Sequence, residues 1–344
     1  MDEKSEEVAQ VTLPAPFRVA REPCRYHTEA EIHGALTADP GGYVRFMRQN
    51  LAAVATGKAR VTLPPKQVFE DPATNGDFRV MPCELEHAGE VTKIVKVIGT
   101  NTLQREVPDQ ITVGKLFALH PGENFVSDIF EACLLSSART GACAALAVLA
   151  LARARRELVI VGSGRVGLYA ALYAAAAGGV GRVRFCDLIP DRASQAAAWL
   201  AAAVPGLRSE GRPIADIDAA DVVVLATTSG TPVASPPCWG ANLVVSLGAD
   251  TNTQSELDPA WPRFADLYCD TPDSLRFGDL RAWSEEGLVD AATVTDLLEV
   301  LRRPLADSGR PRVFISTGSA LFDNLTARYL MDLHAVPKAL FQRR

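Results

Sequence analysis

Apolar residues recur along this chain with two different periods, and the change of period divides it. From Thr28 to Gly57 the positions Ile32, Leu36, Val44, Met47, Leu51 and Val54 keep helical spacing, interrupted by Asp39-Pro40-Gly41-Gly42, which predicts two helices. Arg60 to Phe69, Phe78 to Met81, Thr92 to Gly99 and Thr112 to Leu119 are short, partly alternating β-branched segments between Pro, Gly and Asn, and predict the strands of a first sheet. Ile129 to Arg155 has no Pro, is rich in Ala and Leu and ends on cations, as expected of a long helix joining two domains. Beyond it the texture changes. Continuous apolar runs at Leu158 to Val161, Val183 to Cys186, Val222 to Ala226, Leu243 to Leu247, Leu267 to Cys269 and Val313 to Ser316 predict a parallel sheet covered on both faces. Helical stretches at Val166 to Ala177 and Asp191 to Ala203 lie between the first of these strands and the third.

Composition narrows the function classes. With 344 residues, 48% of them hydrophobic, the chain can build two domains with buried cores. A formal net charge of −6 and dispersed basic residues argue against nucleic acid as a partner. The seven cysteines form no CxxC pair and fall mostly in apolar stretches, as expected of reduced thiols in a cytoplasmic protein. The N-terminal MDEKSEEVAQ is acidic and polar, unlike a secretory leader. The apolar runs Ala142 to Ala152 and Val166 to Val180 fall short of the ~20 residues a membrane span needs, so no membrane partner is expected. Five histidines without ligand spacing give no metal site.

The chemistry-bearing signal is Glu157-Leu-Val-Ile-Val161 followed by Gly162-Ser163-Gly164-Arg165-Val166-Gly167. This GxGxxG closes a predicted strand and opens a predicted helix. In that context the first glycine makes the tight turn, the second admits a pyrophosphate, the third packs helix on strand, and the helix N-terminus supplies N–H donors. The next strand ends in Asp187, 20 residues after Gly167, where a carboxylate would meet ribose hydroxyls and disfavour a 2′-phosphate. The expected cofactor is therefore NAD, although Arg192 lies close enough to complicate the choice. Thr227 and Thr228 after the third strand, and Ser246 and Gly248 around the end of the fourth, sit at carboxyl ends where open α/β sheets bind ligands; each can equally be a strand-to-loop turn.

The run Ser137-Ala138-Arg139-Thr140-Gly141-Ala142, followed by the strand and GSGRVG, resembles the ornithine cyclodeaminase and μ-crystallin family. Met81-Pro82, Lys93-Ile94-Val95, Leu247-Gly248-Ala249-Asp250, Glu256-Leu257-Asp258 and Val313 to Gly318 extend the resemblance from about Arg60 to about Leu330. It implies an α/β chain: a Rossmann-type doubly wound parallel sheet domain over 141–317, plus an α+β substrate-binding and dimerisation domain over 17–140 and 318–344. It also implies a homodimer, an amino-acid or imino-acid substrate, and hydride transfer at the α-carbon.

An α-amino acid held by its carboxylate needs cations on one side of the site. The resemblance gives Arg139 as the carboxylate anchor, with Thr140 beside it toward the pyrophosphate, and Lys93 as the substrate lysine. Lys66, in Pro64-Pro65-Lys66, stands where many relatives place arginine. Lys93 and Lys96 lie three apart on one strand, so only one of them can face a pocket. Asp250 resembles the aspartate that cyclodeaminases hold near the substrate amine, where a carboxylate can accept its proton. The leading expectation is an NAD-dependent cyclodeaminase of ornithine or lysine. The alternatives are a ketimine reductase or an amino-acid dehydrogenase of the same family, including the diaminopropionate-forming type, or a non-catalytic binder.

Overall fold

A computed structural model describes residues 15–334 other than 250, 252 and 304. The N-terminal half forms a seven-stranded mixed sheet: β1 (Arg25–His27), β2 (Ala59–Thr62), β3 (Gln67–Asp71), β4 (Gly76–His87), β5 (Glu90–Thr100), β6 (Thr112–Leu119) and β7 (Val126–Glu131). The order is β1-β7-β6-β5-β4-β2, with β3 also on β4; all pairs are antiparallel except β1 with β7. β4 and β5 run past the expected Phe78–Met81 and Thr92–Gly99, β6 matches Thr112–Leu119, and the expected Arg60–Phe69 is two strands, β2 and β3; β1 was not expected, and β7 takes the first residues of the expected long helix. Two helices, α1 (Glu29–Ala38) and α2 (Pro40–Ala55), precede β2, with Thr28 and Asp39 as their N-caps and Pro40 at the start of α2.

Alternation along β4 and β5 decides what points inward. Arg79, Met81, Cys83 and Leu85 of β4, and Thr92, Ile94, Lys96 and Ile98 of β5, are buried on one face. That face is covered by the last helix, α9 (Ala320–His334), whose Asn324 donates to Cys83 O at 3.1 Å and to Thr92 O at 2.9 Å. α9 thus brings the described chain back onto the first sheet.

α3 (Cys133–Leu151) starts after β7, because Ile129–Glu131 complete that strand, and stops before the Arg153–Arg156 cations assigned to its end. Its 19 residues are long and apolar enough to cross a membrane by length and composition, contrary to the expectation from the shorter runs. In this fold nearly all of them are buried against α1, α2, α4 (Arg165–Ala176) and α9, the environment of a core helix.

The C-terminal half is an eight-stranded, wholly parallel sheet. Its strands are β8 (Glu157–Val161), β9 (Arg182–Cys186), β10 (Arg208–Gly211), β11 (Val222–Leu225), β12 (Leu243–Ser246), β13 (Asp266–Cys269), β14 (Val294–Asp296) and β15 (Arg312–Ile315), in the order β10-β9-β8-β11-β12-β15-β13-β14. Helices α4, α5 (Pro190–Ala203), α6 (Trp261–Phe264), α7 (Gly278–Glu285) and α8 (Leu297–Arg302) occur between its strands. Buried side chains from its two faces fall into separate clusters, which is the doubly wound arrangement expected. The two edge strands, β10 and β14, are short and contain polar residues, so they gave no apolar run to read.

Candidate active site

All eight strands of the second sheet run the same way, so the loops after them gather on one edge. The strand order reverses direction between β8 and β11, the switch point where such sheets open a crevice. From β9 through β8, β11 and β12 to β15 there are four interstrand steps of ~4.8 Å, or ~19 Å, the reach of an extended dinucleotide. Along this edge stand, in order, Asp187, the glycine loop, Thr227, Gly248 and Thr317-Gly318.

The glycine loop has a cradle's geometry. Gly162 has φ +98° and lies so close to β11 that a Cβ there would meet Ala226 O at 2.4 Å. A Cβ on Gly167 would meet Gly162 O at 2.2 Å, so this residue lets α4 approach β8. Gly164, by contrast, faces open space, and α4 begins at Arg165 without a side-chain cap, leaving its first N–H groups directed at that opening. Those features fit a pyrophosphate. Asp187 accepts from Ser163 N at 2.8 Å and Ile189 N at 2.9 Å, which fixes its carboxylate at the end of β9. Arg165 reaches across to the first half and donates to Asp109 O at 2.9 Å, while Val166 is half-buried in the first turn of α4.

Two of the expected cofactor contacts are committed elsewhere. Ser246 is fully buried and its hydroxyl donates to Glu256 Oε2 at 2.7 Å. Gly248 N donates to the same oxygen at 2.8 Å, and its missing side chain lets Thr227 O and Glu256 crowd in. Ser246 and Gly248 therefore shape the crevice from behind. Thr227 donates to Glu256 Oε1 from its N at 2.7 Å and its Oγ1 at 2.8 Å, whereas Thr228 is exposed on the rim. The sequence offers Glu256 only as a point of resemblance, yet this buried carboxylate ties the ends of β11 and β12 together. Burial pushes its carboxyl pKa up, against the pull of the N–H and O–H donors around it.

Beside the crevice, at the ends of β13 and β15, a cavity of about 400 Å³ opens between the two halves. Its walls include Leu63, Lys66 and Met81 from the first half and Asp273, Arg276 and Ala320 around the second. Lys66 is buried; its Nζ donates to Thr317 O at 2.6 Å and lies 3.7 Å from the Phe277 ring centroid. Arg139, on α3, donates from Nε to Asp323 Oδ1 at 3.0 Å. Its guanidinium nitrogens lie 3.0 Å from where a Cβ on Gly318 would be. Gly318, at φ +86°, thus turns the chain against the arginine without a side chain to obstruct it. Thr140 is buried in α3 and its hydroxyl donates to Ser136 O at 2.8 Å, a bond within its own helix.

Lys93 does not join this group. It lies on the outward face of β5, where its Nζ donates to Pro121 O and Asn124 Oδ1, both at 2.8 Å. Lys96, three residues on and therefore on the opposite face, is fully buried. Its Nζ lies 2.7 Å from Asp323 Oδ2 and 3.4 Å from Ser136 Oγ. In register it stands beside Met81, a residue of the cavity wall. Burial pushes the Lys96 pKa down to about 7, against the pull of the Asp323 carboxylate, and nearby Arg139 pushes the same way as burial. The strand's alternation carried this choice, but only the position of α9 says which face is inside. Asp323 was missed for the same reason, since nothing in the sequence pairs α9 with α3 and β5. Asp250 lies outside the described residues.

A doubly wound Rossmann sheet paired with a mixed-sheet domain, with a basic cavity at their junction, defines a broad class of chain. A family model for the ornithine cyclodeaminase/mu-crystallin family matches residues 28–335, and the chain belongs to that family. It is 32% identical over 213 residues to Delta(1)-pyrroline-2-carboxylate reductase 2 of Burkholderia ambifaria, covering 59% of this chain and 65% of that relative's length. It is 30% identical over 293 residues to Delta(1)-pyrroline-2-carboxylate reductase 1 of Burkholderia multivorans, covering 81% of this chain and 87% of the relative. Among solved structures, the Thermococcus litoralis Delta(1)-pyrroline-2-carboxylate reductase with NADH and L-proline shares the fold at a TM-score of 0.79 and 19% identity, covering 91% and 98% of the two chains. An archaeal alanine dehydrogenase dimer with bound NAD does so at 0.78 and 21%, covering 90% and 95%.

Proposed function

We propose that this protein is an NAD-dependent imine reductase, reducing a small α-imino acid to the α-amino acid and able to run in reverse. The observation that carries this reading is the buried pair Arg139 and Lys96 sharing the single carboxylate Asp323 beside the crevice. Two cations against one anion leave net positive charge in a desolvated site, which a substrate α-carboxylate complements. Two relatives of known name, both pyrroline-2-carboxylate reductases, support the same class.

In this reading Gly162, Ser163, Gly164 and the first turn of α4 hold the pyrophosphate, and Asp187 holds the adenosine ribose. NADH, when bound, supplies the hydride that adds to the α-carbon and is left as NAD. Arg139 orients the substrate carboxylate, with Lys96 behind it. A lysine whose pKa lies near 7 can release a proton at neutral pH, as the imine nitrogen requires on becoming an amine. Homodimerisation belongs to the proposal as well. The outer face of the first sheet exposes Phe69, Phe78 and Val97, an apolar surface of the kind subunit interfaces cover.

The expectation of a cyclodeaminase gives way to this alternative, because the relatives at 30% identity or more are reductases. NADH oxidation with Δ1-pyrroline-2-carboxylate and Δ1-piperideine-2-carboxylate tests the choice. Stoichiometric loss of NADH with proline or pipecolate formed is expected. Ammonia released from ornithine or lysine at constant NADH absorbance would restore the cyclodeaminase.

A further inference from the structure

The cavity holds a second pair of cations that carboxylate anchoring at Arg139 does not use. Lys66 and Arg276 both lie against one aromatic ring, the lysine Nζ at 3.7 Å and the Arg276 guanidinium carbon at 5.4 Å from the Phe277 centroid. Asp273 accepts from Arg276 Nη1 at 2.7 Å with one oxygen and from the Lys66 amide at 3.4 Å with the other. The Arg276 side chain is 53% exposed where it lines the cavity, so its remaining donors are open to a ligand.

Arg139 and Lys96 share Asp323 at the inner end, whereas Arg276 lines the cavity with donors left over from its bond to Asp273. A pyrroline carboxylate brings one negative group, and a cavity of about 400 Å³ is roomy for a five-membered ring. Resting on the imine-reductase reading, we infer that the preferred substrate carries a second acidic group. The α-carboxylate lies on Arg139, and a distal carboxylate is received by Arg276, whose planar fork can take it through two bonds. The outer pair thus determines specificity and takes no part in the hydride step.

The test compares two α-keto acids of equal chain length, 2-oxoglutarate and 2-oxovalerate, as ligands of the NADH-loaded enzyme and as imine sources with methylamine. The dicarboxylate is expected to bind about tenfold more tightly, a preference that Arg276→Gln removes and Arg276→Lys keeps in part. Reduction of the imine of 2-oxoglutarate should show the same ratio, lost through KM with kcat little changed. Equal affinity for the two acids, or a ratio untouched by Arg276→Gln, overturns the inference. Reduction of pyrroline-2-carboxylate with no acidic preference would leave the reductase reading standing alone. Acidic preference in binding, with no imine reduced, would remove the reading and leave the subsite.

Discussion

Lys96 and Asp323 meet at 2.7 Å with both side chains fully buried, and Arg139 reaches the other oxygen of the same carboxylate at 3.0 Å. The arrangement predicts unequal consequences for two lysines on one strand. Lys96→Met should lower kcat/KM for imine reduction by a factor on the order of 100, because it strips one charge from a desolvated cluster. Lys93→Met should cost less than about threefold, since that side chain bonds only an exposed loop. Steady-state kinetics of the two variants decide it, and equal losses would return Lys93 to the site.

Stability should depend on pH through Lys96. Its pKa falls on folding, from the ordinary lysine value of 10.5 to about 7. Between those values the unfolded chain binds a proton that the folded chain does not, so this group's contribution to stability rises as pH is raised through the window. Below pH 7 the lysine is charged in both states and its contribution is constant. Denaturant unfolding at pH 6.5, 8 and 9.5 should show wild type gaining on Lys96→Met as pH increases. A difference independent of pH would mean that the folded lysine keeps its charge.

Removal of Glu256 should damage the crevice before it damages chemistry. Its two oxygens take bonds from Thr227, Ser246, Leu247 and Gly248, and Glu256→Ala leaves buried donors unpaired at about 1–3 kcal/mol apiece. Glu256→Gln keeps the shape but forces an NH2 toward donors. We expect Glu256→Ala to lose several kcal/mol in unfolding experiments, and Glu256→Gln to weaken NADH binding with a smaller loss of stability. Calorimetric titration of the glutamine variant would show whether affinity is in fact preserved.

NAD should be preferred over NADP, because Asp187 is fixed at the end of β9 by two backbone N–H groups and cannot easily swing away from a 2′-phosphate. A preference of at least tenfold, or ~1.4 kcal/mol, is expected in fluorescence titration. Tighter NADP binding would show that a neighbouring cation such as Arg192 governs the site.

Much of this architecture was legible because the physics is local. A GxGxxG between a β-branched run and an alanine-rich run has few other uses, and six parallel strands announced themselves as apolar segments within a residue or so of their observed limits. β10 and β14 were invisible, being short edge strands that need little apolar surface. The substrate end was read less well. Lys66 lines the cavity, but Lys96 and Asp323 owe their meeting to α9, an element distant in sequence from β5. Alternation shows that Lys93 and Lys96 face apart and is silent on which side is covered. Ser246 and Gly248 sit at the right edge, yet their bonds point to a carboxylate that spacing alone does not bring near.

Gly141 lies two residues beyond Arg139 on α3, and a Cβ there would meet the backbone of Tyr169 on α4 at 2.6 Å. The helix that carries the proposed carboxylate anchor is therefore seated, without an intervening side chain, on the helix that begins at the glycine loop. That contact works as a ruler. On the proposed function it sets the interval between the carboxylate anchor and the pyrophosphate cradle. That gauge is set by a missing methyl group, and even Gly141→Ala should shift the two proposed grips relative to each other.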